Sequence, residues 1–326
     1  MTTDLADILA DATIDLALAG IASPKNDAEI LLAHVLKIDR NELRHRLVLD
    51  SLQIDDDAAA AYLALVTQRA AHTPLQHLTG VAHFRQLDLQ VGPGVFIPRP
   101  ETEVVAGAAI AEVNRLRAEP PQANNLAWQM QAPVGPPTAR PRRLARWALQ
   151  PAANPRPVVV DLGTGSGAIA LAVATETTAT VHAIENSDDA YQWATKNVAA
   201  LPVGKTVWLR RGDALCPPAD LLGKADVVVS NPPYIPPGAV PRDAEVREFD
   251  PPAALYGGGS DGLEIPAGII ASAASLLKPG GLLVMEHGDA QGAAVRELAS
   301  ITGLYREIET HPDLTDRDRY LTARRV

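Results

Sequence analysis

The chain has 326 residues, 47% of them hydrophobic and only Cys216 a cysteine, so a globular protein with room for two ordinary domains is expected and an intrachain disulfide is excluded. Against 29 basic residues stand 39 acidic ones, a formal charge of −10 that argues against an extended phosphate backbone as partner. The first stretch carries Asp4, Asp7, Asp11 and Asp15 instead of a basic start and a continuous apolar core, and no apolar run reaches the roughly 18 residues of a membrane span. Neither export nor a membrane is expected, and a reducing cytoplasmic setting fits the single cysteine, which reads as a small apolar filler.

Residues 1–78 are expected to form a small all-α domain. Leu5, Ile8, Leu9 and Ala12 recur at spacings of three and four, as do Ile30, Leu31, His34 and Val35, the mark of a helix with one apolar face. Ser23-Pro24 is a start signal, serine as cap and proline in the first turn. A further helix is expected from Asp55 to Ala71, with acids at its positive end.

Over residues 79–100 the period changes to two. Leu87, Leu89 and Val91 alternate with polar residues, Gly92-Pro93-Gly94 follows, and then Val95-Phe96-Ile97, which predicts a β-hairpin linker turning at the glycines. Residues 101–326 form the remaining domain. Pro98-Arg99-Pro100-Glu101-Thr102-Glu103 opens a helix reaching about Arg117. From about 119 to 157 the chain is dense in proline and carries Arg140, Arg142, Arg143 and Arg146, with Trp128 and Trp147 as anchors and a short helix expected at 144–149; this is a solvated insertion.

From Val158 strands and helices alternate: strands at 158–160, 180–184, 206–209, 225–230 and 281–286, helices at 168–174, 188–200 and from about 263 to 277, and two terminal elements near 304–309 and 319–324. Such alternation predicts an α/β domain with a mainly parallel sheet covered on both faces. The stretch between 231 and 262 reads as a long loop.

Two strand ends carry chemistry. Asp161-Leu162-Gly163-Thr164-Gly165-Ser166-Gly167 ends one strand and opens a helix, so its small residues let the backbone approach a ligand at a positive helix end. Gly163, Gly165 and Ala168 also satisfy the dinucleotide pattern G-x-G-x-x-A, with Glu185 about twenty residues on to hold a ribose, so a nicotinamide-dependent oxidoreductase stays open on this loop alone. Asn231-Pro232-Pro233-Tyr234 follows another apolar strand. Two prolines stiffen the backbone and remove N–H donors, which leaves the Asn231 side-chain oxygen and the Pro232 carbonyl as acceptors for a substrate NH2 group. That group is a carboxamide or the exocyclic amine of a base. His72, His77, His83, His287 and His311 show no metal-ligand spacing, and no metal is expected.

Asp161 to Ala170, Glu185, Gly80 to Glu103 and Asn231-Pro232-Pro233-Tyr234 together resemble the glutamine N5-methyltransferases that modify peptide chain release factors. The glycine loop marks methyltransferases broadly, and Asn-Pro-Pro-Tyr is shared with nucleic-acid amino methyltransferases. Phe96-Ile97-Pro98-Arg99-Pro100-Glu101-Thr102-Glu103 is the discriminating segment. The resemblance implies a Rossmann-like class I methyltransferase domain behind a helical substrate-recognition domain. It implies S-adenosylmethionine as cofactor and the glutamine of a release factor's Gly-Gly-Gln loop as substrate. A ribosomal-protein glutamine and a nucleobase amine are the alternatives.

By the same resemblance, Asn231, Pro232 and Tyr234 are the catalytic residues, with Pro233, Arg99 and Glu101 beside the substrate and Glu103 on the same cleft. Asp161, Gly163, Thr164, Gly165, Ser166, Gly167, Glu185 and Asp213 would hold the cofactor, with Asn231 at its methyl end. The chain departs from the family pattern in its long proline-rich insertion, in Glu185 where an aspartate is commoner, and in Phe84-Arg85 where a more aromatic pair is usual.

Overall fold

A computed structural model describes residues 5–49, 54–118, 156–241 and 243–326. The insertion from 119 to 155, with the helix expected at 144–149, its arginines, Trp128 and Trp147, lies outside the described residues.

The amino-terminal region is helical: α1 (Leu5–Leu18), α2 (Pro24–Leu36), α3 (Arg40–Val48), α4 (Asp56–Ala70) and the short α5 (Leu75–Thr79). Leu5, Ile8, Ala12 and Leu16 share one face of α1 and pack with Leu31, Leu32, Leu43, Tyr62 and Val66 into a separate core. At about 25 cal/mol per Å² of apolar surface, each buried leucine contributes roughly 2 kcal/mol. Asp39 and Asp55 cap α3 and α4 by accepting from backbone N–H groups in the first turn. Ser23 sits at the cap position of α2, but its side chain makes no capping bond.

A hairpin of β1 (Val81–Phe84) and β2 (Leu87–Gln90) follows, and here the structure corrects the expected turn. The chain reverses at Arg85-Gln86, with Arg85 at φ 53°, and not at Gly92-Pro93-Gly94. Arg85 holds the turn by a two-pronged bond to Glu176 at 2.6 and 2.7 Å, while its N–H donates to Glu103. The glycine at 92 serves close approach instead: a Cβ there would meet the Trp193 ring.

Next come α6 (Thr102–Ala118), β3 (Val158–Leu162), α7 (Ala168–Glu176), β4 (Thr180–Glu185), α8 (Asp188–Ala200), β5 (Val207–Arg211) and β6 (Ala225–Ser230). The expected long loop contains two short helices, α9 (Ala244–Phe249) and α10 (Pro252–Leu255). After it come α11 (Glu264–Leu276), β7 (Leu277–Glu286), α12 (Gly292–Ile301), β8 (Tyr305–Pro312) and β9 (Asp318–Arg325). The sequence pattern predicts none of α9, α10 and α12. Cys216 is exposed, not a buried filler.

These strands form a 7-stranded sheet in the order β5-β4-β3-β6-β7-β9-β8. β5, β4, β3, β6 and β7 run parallel, and β9 lies antiparallel to both neighbours. Both faces are apolar, which is why the strands read as unbroken valine runs: Val159, Val227 and Val229 pack under α6 and α7, while Val160 and Val228 pack under α11 and α12. Strand order reverses between β3 and β6, and a crevice opens at such a switch point beyond the carboxyl ends.

A guanidinium ties the helical region to this domain, beside an edge-to-face contact of His77 with Phe249. Arg69 of α4, almost fully buried, bridges Asp27 at 2.8 Å within the helical core and Glu245 of α9 at 2.6 Å, and also donates to the Thr73 carbonyl. Arg69→Met would keep the aliphatic volume but strand two carboxylates, one of them buried. It should lower stability by about 3 kcal/mol in urea unfolding; a loss below roughly 0.5 kcal/mol would mean the bridge is solvated.

Candidate active site

A cavity of about 620 Å³ occupies the switch point, within the range of small-molecule sites. Its walls come from the glycine loop after β3, the end of β4, the loop after β6, the segment from Phe96 to the first residue of α6 and the α9–α10 region.

The glycine loop is shaped by its attachment to β4: Gly163 and Thr164 N–H groups both donate to the Ile184 carbonyl. Gly163 and Gly165 adopt φ 74° and 59°, and a Cβ at either would meet nothing within 4 Å, so bare backbone faces open space. Gly167, at φ 88°, caps α7. The Ser166 carbonyl accepts from Asn197, which fastens the loop to α8.

Asp161 lies beneath this loop. Its Oδ2 accepts from the Thr164 hydroxyl at 2.6 Å and from Ala170 N–H at 3.1 Å, while Oδ1 is buried without a partner. Burial pushes its carboxyl up to about 7, against those hydrogen bonds and with a further push from the charge on Glu185. Glu185 ends β4 and accepts from Gly165, Asn186 and Ser187 N–H groups at 2.8 to 2.9 Å. Two of these bonds fall on Oε1 and one on Oε2, so Oε2 keeps acceptor capacity on the cavity wall. Asp213 is exposed at the rim, one oxygen accepting from Leu215 N–H. Bare glycine backbone, the Glu185 carboxylate and apolar Leu162, Ile184, Ile265 and Ile269 line one space, and the orphaned Asp161 oxygen lies buried beneath the glycine loop without reaching its wall. This set fits a cofactor with a cationic end, a diol and a flat ring system.

Across the crevice, β6 runs into Asn231. Ser230 Oγ donates to the Leu162 carbonyl at 2.7 Å, locking the ends of β6 and β3 together. Asn231 Nδ2 donates to Thr102 Oγ1 at 3.1 Å. Among the described residues no donor takes Asn231 Oδ1 or the Pro232 carbonyl, so both acceptors stay free at the cavity. Backbone bonds clamp the motif: Tyr234 and Ile235 N–H donate to the Leu255 carbonyl, and Gln291 Nε2 donates to the Tyr234 carbonyl. Tyr234 points its hydroxyl at Glu286 Oε1, 3.4 Å away.

Arg99 and Glu101 line the cavity together with Pro233, whereas Glu103 turns away to accept from Arg85 N–H. Arg99 pairs with buried Asp250 at 2.6 Å and lies over the Phe96 ring. Among the cavity residues that the sequence reading does not assign are three with polar side chains, Thr102, Glu286 and Arg319, close to the Asn231 motif or its strand neighbours, beside others such as Asp243 and Ile269. For Glu286 a signal exists, a charged residue ending an apolar strand, comparable to the polar Asn231 that directly follows one. Among the described residues, no cluster of His, Cys, Asp and Glu is arranged to hold a metal.

Comparison with known proteins agrees with this architecture. The model of the PrmC N-terminal domain matches residues 7–80, and that of the methyltransferase small domain matches residues 148–248. A release factor glutamine methyltransferase of Streptomyces coelicolor is 42% identical over 98% of this chain and 97% of its own. That of Bifidobacterium longum is 37% identical, over 98% and 99%. Among solved structures, a predicted O-methyltransferase from Agrobacterium tumefaciens superposes with a TM-score of 0.39 at 19% identity, covering 53% of this chain and 76% of that one, a likeness too distant to bear on the chemistry. With near-full-length identity at that level, and with a helical region and a mostly parallel 7-stranded sheet to match, the chain belongs to the release factor glutamine methyltransferase family.

Proposed function

We propose that this protein transfers the methyl group of S-adenosylmethionine to the side-chain nitrogen of the glutamine in a release factor's Gly-Gly-Gln loop. The observation that carries the proposal is the pair of free acceptors, Asn231 Oδ1 and the Pro232 carbonyl, at the mouth of β6 with the asparagine's NH2 tied back to Thr102. A glutamine amide offers two hydrogens to such a pair, and no other arrangement of its NH2 satisfies both.

The cofactor supplies an electrophilic methyl on a sulfonium centre. The residues suited to hold it are Asp161 and the loop Gly163 to Gly167 for its methionine part, Glu185 for the ribose hydroxyls and Asp213 near the adenine. An amide nitrogen is a poor nucleophile because its lone pair is delocalised into the carbonyl. Asn231 and Pro232 therefore act chiefly by orientation, fixing the nitrogen with its free face toward the donor, and by stabilising positive charge as it develops there. Tyr234 supports the slot as a wall. No side-chain base is needed, since the nitrogen becomes acidic as it is alkylated and its proton passes to water.

Arg99, Glu101 and Pro233 would meet the backbone of the incoming loop, and the helical region 1–78 would recognise the body of the release factor. A substrate from the translation machinery implies the cytosol as compartment, and among the described residues no helix is long and apolar enough to cross a membrane.

Purified release factor incubated with enzyme and S-adenosylmethionine should gain one methyl on the Gly-Gly-Gln glutamine by mass spectrometry. A methyl elsewhere, or on a ribosomal protein or nucleobase only, would refute the assignment. Asn231→Ala should cut turnover by roughly a hundredfold while cofactor affinity changes little. Asp161→Asn should weaken cofactor binding. The raised carboxyl of Asp161 costs the free protein stability as pH rises through about 7, so the melting temperature of Asp161→Asn should gain on that of the parent across the same interval. A constant difference from pH 5 to pH 8 would contradict the burial-driven shift.

A further inference from the structure

Helix α8 carries the chain that leads out of the hairpin. Asp189, Trp193 and Asn197 recur at a spacing of four, which places them on one side of the helix. A Cβ at Gly94 would strike Asp189 and one at Gly92 would strike the Trp193 ring, whose Nε1 donates to the Pro93 carbonyl at 3.1 Å. Ala190 of the same helix packs with Val91, Val95 and Ile97. Residues 90–97 are thus seated on α8, and the chain continues from there into Arg99 and Glu101 on the cavity wall.

Asn197 does more than seat this segment. Its Oδ1 accepts from the Gln90 N–H at 2.7 Å, while Nδ2 donates to the Gln90 carbonyl at 3.0 Å and to the Ser166 carbonyl at 2.9 Å. An acceptor and a donor side by side match the two backbone groups of one strand residue, and a second hydrogen remains for another partner; only a side-chain amide offers that set. The partner it finds is the carbonyl between Gly165 and Gly167, in the middle of the glycine loop. The side chain is almost wholly buried and so is its bond to Ser166. Breaking that bond would strand a carbonyl and an NH2 group out of reach of water, so loop and strand resist moving apart.

We infer that Asn197 is a positioning residue that couples the cofactor loop to the segment leading to Arg99 and Glu101. The inference rests on the placement of the cofactor at Gly163 to Gly167 given above. Bound S-adenosylmethionine holds the loop, the loop holds Asn197, and Asn197 holds the end of β2. The segment that presents Arg99 and Glu101 to the substrate is then firmer when the methyl donor is in place. None of residues 87–93 lines the cavity, so an effect of the cofactor on them has to pass through the protein. The coupling is reciprocal: the affinity that the cofactor gains from a seated segment equals the stability that the segment gains from bound cofactor.

Hydrogen–deuterium exchange of the full chain, free and with saturating S-adenosylmethionine, tests the coupling, and no release factor is needed. In the parent, the peptides over 163–167 and over 87–93 should both exchange more slowly with cofactor, by about threefold or more. Asn197→Asp keeps the shape and the acceptor for Gln90 but sets an oxygen against two carbonyls. In that variant the protection of 87–93 should vanish, and cofactor affinity by calorimetry should fall roughly tenfold at about pH 8. A buried aspartate takes up a proton as pH falls and becomes a donor again, so the affinity of the variant relative to the parent should recover toward about pH 5.5. Trp193→Ala, outside the cavity lining, unseats the segment from α8 and should also weaken the cofactor, by about threefold. Protection of the glycine loop without protection of 87–93, protection of 87–93 that persists in Asn197→Asp, a relative loss of affinity that is the same at both pH values, or parental affinity in Trp193→Ala would each overturn the coupling. A parent whose glycine loop gains no protection would refute the placement of the cofactor, and the coupling with it. Should Asn197→Asp fail to fold, exchange in the parent and the affinity of Trp193→Ala still decide.

Discussion

Two neighbouring parallel strands that stop at the same level are the condition on which the rest depends. Leu162 of β3 sits opposite Ser230 of β6, and the Ser230 hydroxyl bonds the Leu162 carbonyl across the gap. One strand continues into a glycine loop and the other into a stiff proline-bearing turn, so bare backbone and free acceptors face each other over a single cavity. Because strand order reverses here, no helix crosses the gap to fill it. The valine packing on both faces holds the two ends in register.

The second theme is charge placed where water cannot reach it. Asp161 and Glu286 each bury a carboxylate with one unpartnered oxygen, and both are displaced upward by that burial. Such groups weaken a resting protein, yet Glu286 lies on the cavity wall and Asp161 beneath the glycine loop that forms part of it, a usual signature of side chains kept for a ligand. The arginines elsewhere behave differently. Arg69, Arg85 and Arg99 are each matched to one or two carboxylates and fasten separate elements together, so they are structural pins more than substrate attractors.

Much of this is legible in the amino-acid sequence. Valine-rich runs separated by helical spacing announce a parallel sheet, because burial on both faces leaves no polar alternation. Asn231, Asp161, Glu185 and the glycines stand out because they end or follow such runs. The hairpin turn departs from its sequence signal for a local reason: Gly92-Pro93-Gly94 is the stronger turn signal, but its glycine at 92 is needed to admit Trp193, and Arg85 takes the turn in a conformation costly for a non-glycine residue. The helices α9 and α10 are too short to show a period, and α12 buries only Gly292, Val295 and Ala299. Thr102, Glu286 and Arg319 come from three distant parts of the chain and meet only through strand order. Glu101 and Glu103 look alike in sequence, and their different places at the start of α6 send the first to the cavity and the second to Arg85.

The glycine-rich stretch from Gly257 to Gly262 touches the motif from behind. Gly262, at φ 79°, lies so close to the Tyr234 carbonyl and the Pro236 nitrogen that a methyl there has no room, and Gly257 is pressed equally hard against Gly262 and Pro233. The acceptor pair is therefore cast against a mould of bare peptide. Evolution can repaint the rim of this pocket residue by residue, but it cannot decorate the mould without loosening the casting, so these silent glycines should drift as little as the asparagine they support.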